Sequence, residues 1–198
     1  MNRTTLLIRF RLFLLAPAFL ASVAFCGCSG IVVANDNAPP AVGDAAPKLE
    51  LKNFDTGTVK LEDAIHKGPV VVMVLRGNPG YQCPLCTRQV GQFISAVKDF
   101  RSANATVIMV YPGPAAELDV KAGEFLKDTK LPEGFHLVTD PDYVFTNEWH
   151  LRWDAAKETA YPSTFVVDKE GKIRFAKISK SHGDRAPAAD VIKVLKEL

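Results

Sequence analysis

Cysteine is scarce in this chain of 198 residues: there are four, and Cys26 and Cys28 fall in an apolar leader. Only Cys83 and Cys86 remain for the body of the protein. A disulfide-stapled scaffold is thereby excluded, because a bridge across a two-residue gap closes a small ring and constrains little of the unfolded chain. The four histidines, His66, His136, His150 and His182, stand singly, and no second C-x-x-C or H-x-x-x-H accompanies the cysteine pair. A zinc site would lack its second half, so no metal is expected, and no residue pattern calls for an organic cofactor. Basic residues interleaved with aromatics are also missing, which removes nucleic acid as a partner. No internal repeat is visible.

The acidic side of the charge balance is absent from the first stretch. Met1 to Arg11 carries three arginines and no acid, and Leu12 to Phe25 follows as an apolar run. At about 14 residues that run has the length of a signal segment and falls short of the ~20 of a spanning helix. Three endings fit it. Phe25-Cys26-Gly27-Cys28-Ser29 resembles a lipoprotein signal, with Cys28 acylated; cleavage after Val32-Val33-Ala34 is the second; an uncleaved anchor running on through Ile31 to Val33 is the third. All three place the domain outside the cytoplasm, exported to a periplasm or cell envelope, and two tether it to a membrane. The expected organisation is a signal segment over 1–28, a tether over 29–46 rich in Ala, Pro, Asn and Asp, and one domain over 47–198. Without residues 1–28 the formal charge of +2 becomes −1, since only Arg3, Arg9 and Arg11 leave.

What is present centres on Tyr81-Gln82-Cys83-Pro84-Leu85-Cys86. Upstream, Val70-Val71-Val72-Met73-Val74-Leu75 is a continuous apolar run, mostly β-branched, and predicts a strand buried on both faces. Downstream, Val90, Phe93, Ile94, Val97 and Phe100 recur every three or four residues and predict one helix, with Arg88, Gln92, Ser95 and Lys98 facing water. The cysteines thus sit where a strand hands over to a helix N-terminus, whose unsatisfied N–H groups stabilise a thiolate. A redox-active pair is the reading this context favours; a zinc half-site and an inert buried pair are the competing ones. Further on, strands are expected over Thr106 to Tyr111 and Phe135 to Thr139, with a turn at Pro112-Gly113-Pro114 and a helix over Ala115 to Lys127 between them. Thr164 to Asp168 and Lys172 to Ile178 read as a hairpin turning at Lys169-Glu170-Gly171. A last helix starts at Pro187 and turns Val191, Ile192, Val194, Leu195 and Leu198 inward.

Three stretches together resemble the thioredoxin fold in its peroxiredoxin-like branch, the alkyl hydroperoxide reductase and thiol-specific antioxidant (redoxin) superfamily. Ala41-Val42-Gly43-Asp44-Ala45-Ala46-Pro47 with Leu49, Leu51, Gly57 and Val59-Lys60-Leu61 is similar to its opening. Arg76-Gly77 ahead of Cys83-Pro84-Leu85-Cys86 is similar to its RGxxCPxC, with a longer intervening loop, and Tyr161-Pro162-Ser163-Thr164-Phe165-Val166-Val167-Asp168 to Gly171 is similar to a stretch of membrane-tethered thiol-disulfide oxidoreductases. The resemblance implies an α/β thioredoxin-like fold, a central mixed sheet flanked by helices. It also implies a cis bond at Tyr161-Pro162 beside the cysteines, and supporting roles for Arg76, Pro84, Pro162 and Thr164. Two departures stand out. The hydroxyl that peroxiredoxins place three residues before the reactive cysteine is Gly80 here, and their later arginine is replaced by Pro162; Arg76, Arg88, Arg152 and Arg185 are the arginines left to take its place.

The expected chemistry is thiol-disulfide exchange, with Cys83 attacking, activated by the helix N-terminus and Arg76, and Cys86 resolving the mixed disulfide into a Cys83–Cys86 bridge. Alternatives are a peroxiredoxin-like thiol peroxidase that reduces hydroperoxides, and a non-catalytic tethered binding module. Partners on these readings are protein or small-molecule thiols and disulfides, hydroperoxides, and a membrane met through the N-terminal anchor or lipid. Trp149, His150, Arg152 and Trp153 are expected to pack a helix onto the sheet, and His182-Gly183-Asp184-Arg185 to form a solvated turn.

Overall fold

The computed structural model describes residues 38–198 apart from Thr56 and Asp128. The signal segment, Cys26, Cys28 and the start of the tether lie outside the described residues. In chain order the elements are β1 (Glu50–Asn53), β2 (Thr58–Lys60), α1 (Leu61–Ile65), β3 (Val70–Val74), α2 (Pro84–Ser95), α3 (Val97–Ser102), β4 (Thr106–Gly113), α4 (Leu118–Leu126), β5 (Phe135–Pro141), α5 (Val144–Glu148), β6 (Ser163–Val167), β7 (Ile173–Ile178) and α6 (Ala188–Leu195). The strands form one sheet in the order β2-β1-β5-β4-β3-β6-β7. β3, β4 and β5 run parallel, and β6, β7, β1 and β2 pair antiparallel to their neighbours. This is the expected mixed sheet flanked by helices.

β3 lies between β4 and β6, with every residue of Val70–Val74 buried. Side chains alternate across a strand, so Val71 and Met73 join Val107, Met109 and Phe93 in one core, while Val70, Val72 and Val74 join Ile108, Phe165 and Trp149 in the other. A continuous apolar run is what a strand covered on both faces needs. Each fully buried side chain of this kind contributes roughly 1.5–3 kcal/mol of transfer free energy.

The helix expected after Cys86 is two helices. Ala96 has φ −94° and ψ 15°, outside helical values, and the Ser95 hydroxyl donates back to Gly91 O at 2.8 Å, a contact that bends helices. The apolar stripe survives the break, because Phe93 and Phe100 stack at 5.3 Å. β4 runs through the expected turn as far as Gly113, pairing Pro112 with Asp140 and Gly113 with Pro141. α4 begins late because Glu117 is left-handed, with φ 63°. In α6, Val191 and Leu195 are buried but Leu198 lies beyond the helix end and is exposed, contrary to expectation. The segment taken as tether is docked at its end: Gly43 and Ala46 donate to Ile173 O and Gly171 O, both at 2.8 Å. Trp149 packs as expected, fully buried between Phe145 and Phe165.

Candidate active site

The chain leaves β3 at Arg76-Gly77 and turns over the end of β4. Gly77 has φ +69°, and a Cβ there would lie 1.9 Å from Pro112 O, so only glycine permits the approach. The loop back to α2 is tied down by Gln82, whose side chain accepts from Tyr111 Oη at 2.8 Å and donates to Lys121 O at 2.9 Å. Cys83 then caps α2 in extended conformation, and Pro84 takes the first helical position, where its missing N–H costs nothing. Cys83 O accepts from the N–H groups of Cys86 and Thr87, at 3.1 and 3.2 Å. Both thiols are therefore in the first turn of one helix, at the carboxyl end of β3.

The two cysteines are reduced and buried, with 3 % and 1 % of their surface exposed. Their acidities diverge. Cys83 is held down at about 5, first by a hydrogen bond from the Cys86 thiol, against its burial, and further by the Cys86 and Leu85 N–H groups and the charge of Arg185. Cys86 is pushed well above the ordinary thiol value, because it is the donor in that hydrogen bond and is the more deeply buried. The pair thus consists of a thiolate and a retained thiol. The helix amides act as the sequence reading expected, but the neighbouring thiol is the larger cause.

The cation at the sulfurs is Arg185. Its Nη2 lies 3.8 Å from Cys83 Sγ and 3.5 Å from Cys86 Sγ, its Nη1 donates to Gln89 Oε1 at 2.9 Å, and its Nε donates to His182 O at 2.7 Å. The expected solvated turn at 182–185 is therefore an active-site loop. Arg76 takes the opposite course. Its side chain turns away from the cysteines, donating to Glu158 Oε2 at 2.7 Å, Tyr81 Oη at 2.6 Å and Lys157 O at 2.6 Å; only its backbone N–H reaches Cys86 Sγ, at 3.4 Å. Activation of Cys83 by the Arg76 guanidinium is thus replaced by activation through Arg185. Arg88 is exposed on α2, and Arg152 donates to the carbonyls of Trp153, Glu158 and Thr159.

Pro162 is buried one residue beyond the Val74–Ser163 pair, beside the end of β3. Its peptide bond is trans, as there is no cis bond among the described residues. Tyr161 N–H donates to Leu151 O at 2.9 Å and Ser163 Oγ donates to Tyr161 O at 2.8 Å, on either side of that bond. Thr164 is buried opposite Met73 and shares its face of the sheet, the α2 side. Among the described residues no group of three or more His, Cys, Asp or Glu side chains converges to hold a metal ion.

Of the four arginines the sequence left open, Arg185 is the one at the sulfurs, and Gln89, Tyr81 and Glu158, to which sequence reasoning assigned no role, complete the site. The sequence signal for Arg185 was a polar loop with an arginine just before the last helix.

The AhpC/TSA family model matches residues 42–176. Peroxiredoxin Bcp of Bacillus subtilis is 32 % identical over 137 residues, which cover 67 % of this chain and 81 % of that protein. The chloroplastic peroxiredoxin Q of Oryza sativa subsp. japonica is 33 % identical over 134 residues, covering 67 % of this chain but only 57 % of the relative. Among solved structures, a peroxidoxin BcpB from Mycobacterium tuberculosis superposes with a TM-score of 0.62 at 20 % identity, over 80 % of this chain and 98 % of that one. A peroxiredoxin-like protein from Aquifex aeolicus gives 0.65 at 18 % identity, over 81 % and 90 %. These two establish the thioredoxin fold of peroxiredoxins.

Proposed function

The chain belongs to the AhpC/TSA family and is a thiol-dependent oxidoreductase; from that premise we propose that it is a thiol peroxidase in which Cys83 is the reactive residue and Cys86 the resolving one. The observation that carries this reading is the guanidinium nitrogen of Arg185 shared by both sulfurs, beside a Cys83 kept ionised at neutral pH. In the first step the Cys83 thiolate attacks one oxygen of a hydroperoxide and the O–O bond breaks. Cys83 is oxidised by two electrons to a sulfenic acid, and the alkoxide leaves and takes a proton from solvent. Arg185 supplies the fixed positive charge that stabilises the negative charge developing on the oxygens, in place of the peroxiredoxin arginine whose position Pro162 occupies. In the second step the Cys86 sulfur attacks the sulfenic sulfur. The S–S bond forms and hydroxide leaves, taking up the Cys86 proton as water. An external dithiol, or two thiols, then reduces the bridge.

The placement of both cysteines in one helical turn supports a second reading, exchange with a disulfide of another protein. Export to the cell envelope and attachment through Cys28 or the apolar leader belong to the same proposal; fractionation of cells, with and without Cys28→Ser, tests them. The peroxidase test is stopped-flow oxidation of the reduced protein by hydrogen peroxide. A rate far above that of free cysteine, lost in Cys83→Ser, is expected. A rate equal to that of free cysteine overturns the peroxidase and leaves disulfide exchange to be assayed with a protein disulfide.

A further inference from the structure

The loop that brings Arg185 to the sulfurs has no regular structure between Ile178, the end of β7, and Ala188, the start of α6. A guanidinium carried on such a loop samples many positions unless something outside the loop fixes it. Gln89 supplies one anchor, accepting from Arg185 Nη1. The other passes through His182. Its carbonyl accepts from Arg185 Nε, and its ring Nε2 lies 3.0 and 3.1 Å from the two carboxylate oxygens of Glu158.

Glu158 is itself braced. Burial raises its pKa, but hydrogen bonds from Arg76 and His182 outweigh this and keep it a carboxylate, which can only accept; the His182 Nε2 therefore carries the proton. Arg76 holds Glu158 Oε2 at 2.7 Å and the preceding carbonyl of Lys157 at 2.6 Å, with its own side chain 2 % exposed. Arg152 ties the same turn from within, through the carbonyls of Trp153, Glu158 and Thr159. The His182 ring lies 5.2 Å from Trp153, which stacks on Tyr161 at 4.7 Å. By contrast, the other ion pair that ties this loop, Lys177 with Asp184, is between half-exposed side chains, where ion pairs contribute little.

The geometry points to Glu158 and His182 as positioning residues for Arg185: the carboxylate fixes the ring, the His182 carbonyl fixes Nε, and the guanidinium is thereby aimed at both sulfurs. Arg76, whose side chain makes no hydrogen bond to the cysteines, acts at one further remove by holding Glu158. This deepens the peroxidase reading by naming what sets its cation in place, and rests on that reading only for its effect on peroxide turnover.

The test measures the Cys83 thiolate titration by ultraviolet absorbance and by pH-dependent alkylation, in reduced full-length protein. His182→Ala removes the ring and leaves the Arg76–Glu158 pair intact. It is expected to move the Cys83 midpoint upward by roughly one pH unit, a tenfold loss of thiol acidity, with little change in melting temperature. His182→Gln, which offers an N–H to Glu158, is expected to restore most of the shift, and Asp184→Asn to leave the midpoint where it is. A midpoint in His182→Ala equal to the wild type, or one moved equally by Asp184→Asn, overturns the inference. If the midpoint shifts as expected in a protein that does not consume peroxide, the positioning role stands and the peroxidase reading falls.

Discussion

Two arginines flank the cysteine pair and are used in opposite ways. Arg76 stands at the end of a buried strand, ten residues from Cys86 in the chain, with all three guanidinium nitrogens occupied by Glu158, Tyr81 and a carbonyl. Arg185 stands in an irregular loop about a hundred residues away, and its nitrogens go to an amide, a carbonyl and the sulfurs. Proximity in sequence favours Arg76. The distribution of carboxylates decides for Arg185: a guanidinium compensated by Glu158 has little field left to offer a thiolate, whereas Arg185 pairs with no carboxylate among the described residues. The electrostatic partner of a reactive group is thus set by which charge the fold leaves unpaired.

The largest effect that sharpens this contrast comes from the sulfurs. Cys83→Ser is expected to lower the peroxide reaction to the background of a non-nucleophilic protein, whereas Cys86→Ser should still undergo the first oxidation and then accumulate a Cys83 sulfenic acid that a dimedone label detects by mass spectrometry. Next comes Arg185→Met, expected to slow the peroxide step by about 10²-fold, the typical loss for one fixed stabilising group, and to raise the Cys83 midpoint. If Arg76→Met slows that step as much as Arg185→Met, the contrast between the two arginines is broken.

Much of the scaffold is legible in the sequence. The unbroken apolar run at 70–74, the stripe of Val90, Phe93 and Phe100, and Gly171 at φ 77° in the hairpin turn are local signals, each with a local cause. The position of both cysteines at the start of α2 followed from the same patterns. What escaped was set by contacts distant in sequence. Nothing near Arg185 announces Gln89 or Cys83, and nothing near Arg76 announces Glu158, 82 residues on. The docking of Gly43 and Ala46 likewise depends on hydrogen bonds to remote carbonyls, those of Ile173 and Gly171 at the β6–β7 hairpin.

Arg76→Met is expected to act mainly on stability, and on the sulfurs only indirectly, through Glu158 and His182. It leaves Glu158, 13 % exposed, with His182 as its remaining side-chain partner among the described residues. Loss of one member of a buried pair costs about 3 kcal/mol or more, so urea denaturation should show a lowered midpoint, and the peroxide rate per folded molecule should fall far less than in Arg185→Met.

The smallest effect per unit of pH concerns the thiolate itself and carries a definite sign. In the unfolded chain Cys83 titrates near its ordinary value of 9.0, and in the folded protein at about 5. Between these values the unfolded state binds the additional proton, so stability rises with pH across that window and is lost as pH falls towards 5. One proton sets a ceiling of about 1.4 kcal/mol per pH unit on the slope. Cys86 has the opposite sign: raised in the folded state, it removes stability only as pH climbs beyond 9. Denaturation of reduced wild type and reduced Cys83→Ser at pH 5.5, 6.5 and 7.5, values chosen as roughly even steps inside that window, should therefore show a stability difference that grows with pH in favour of the wild type. Arg185→Met should flatten the growth, and Arg76→Met should flatten it far less. A difference constant with pH would mean that Cys83 is protonated in the fold and that the cation beside it stabilises no thiolate.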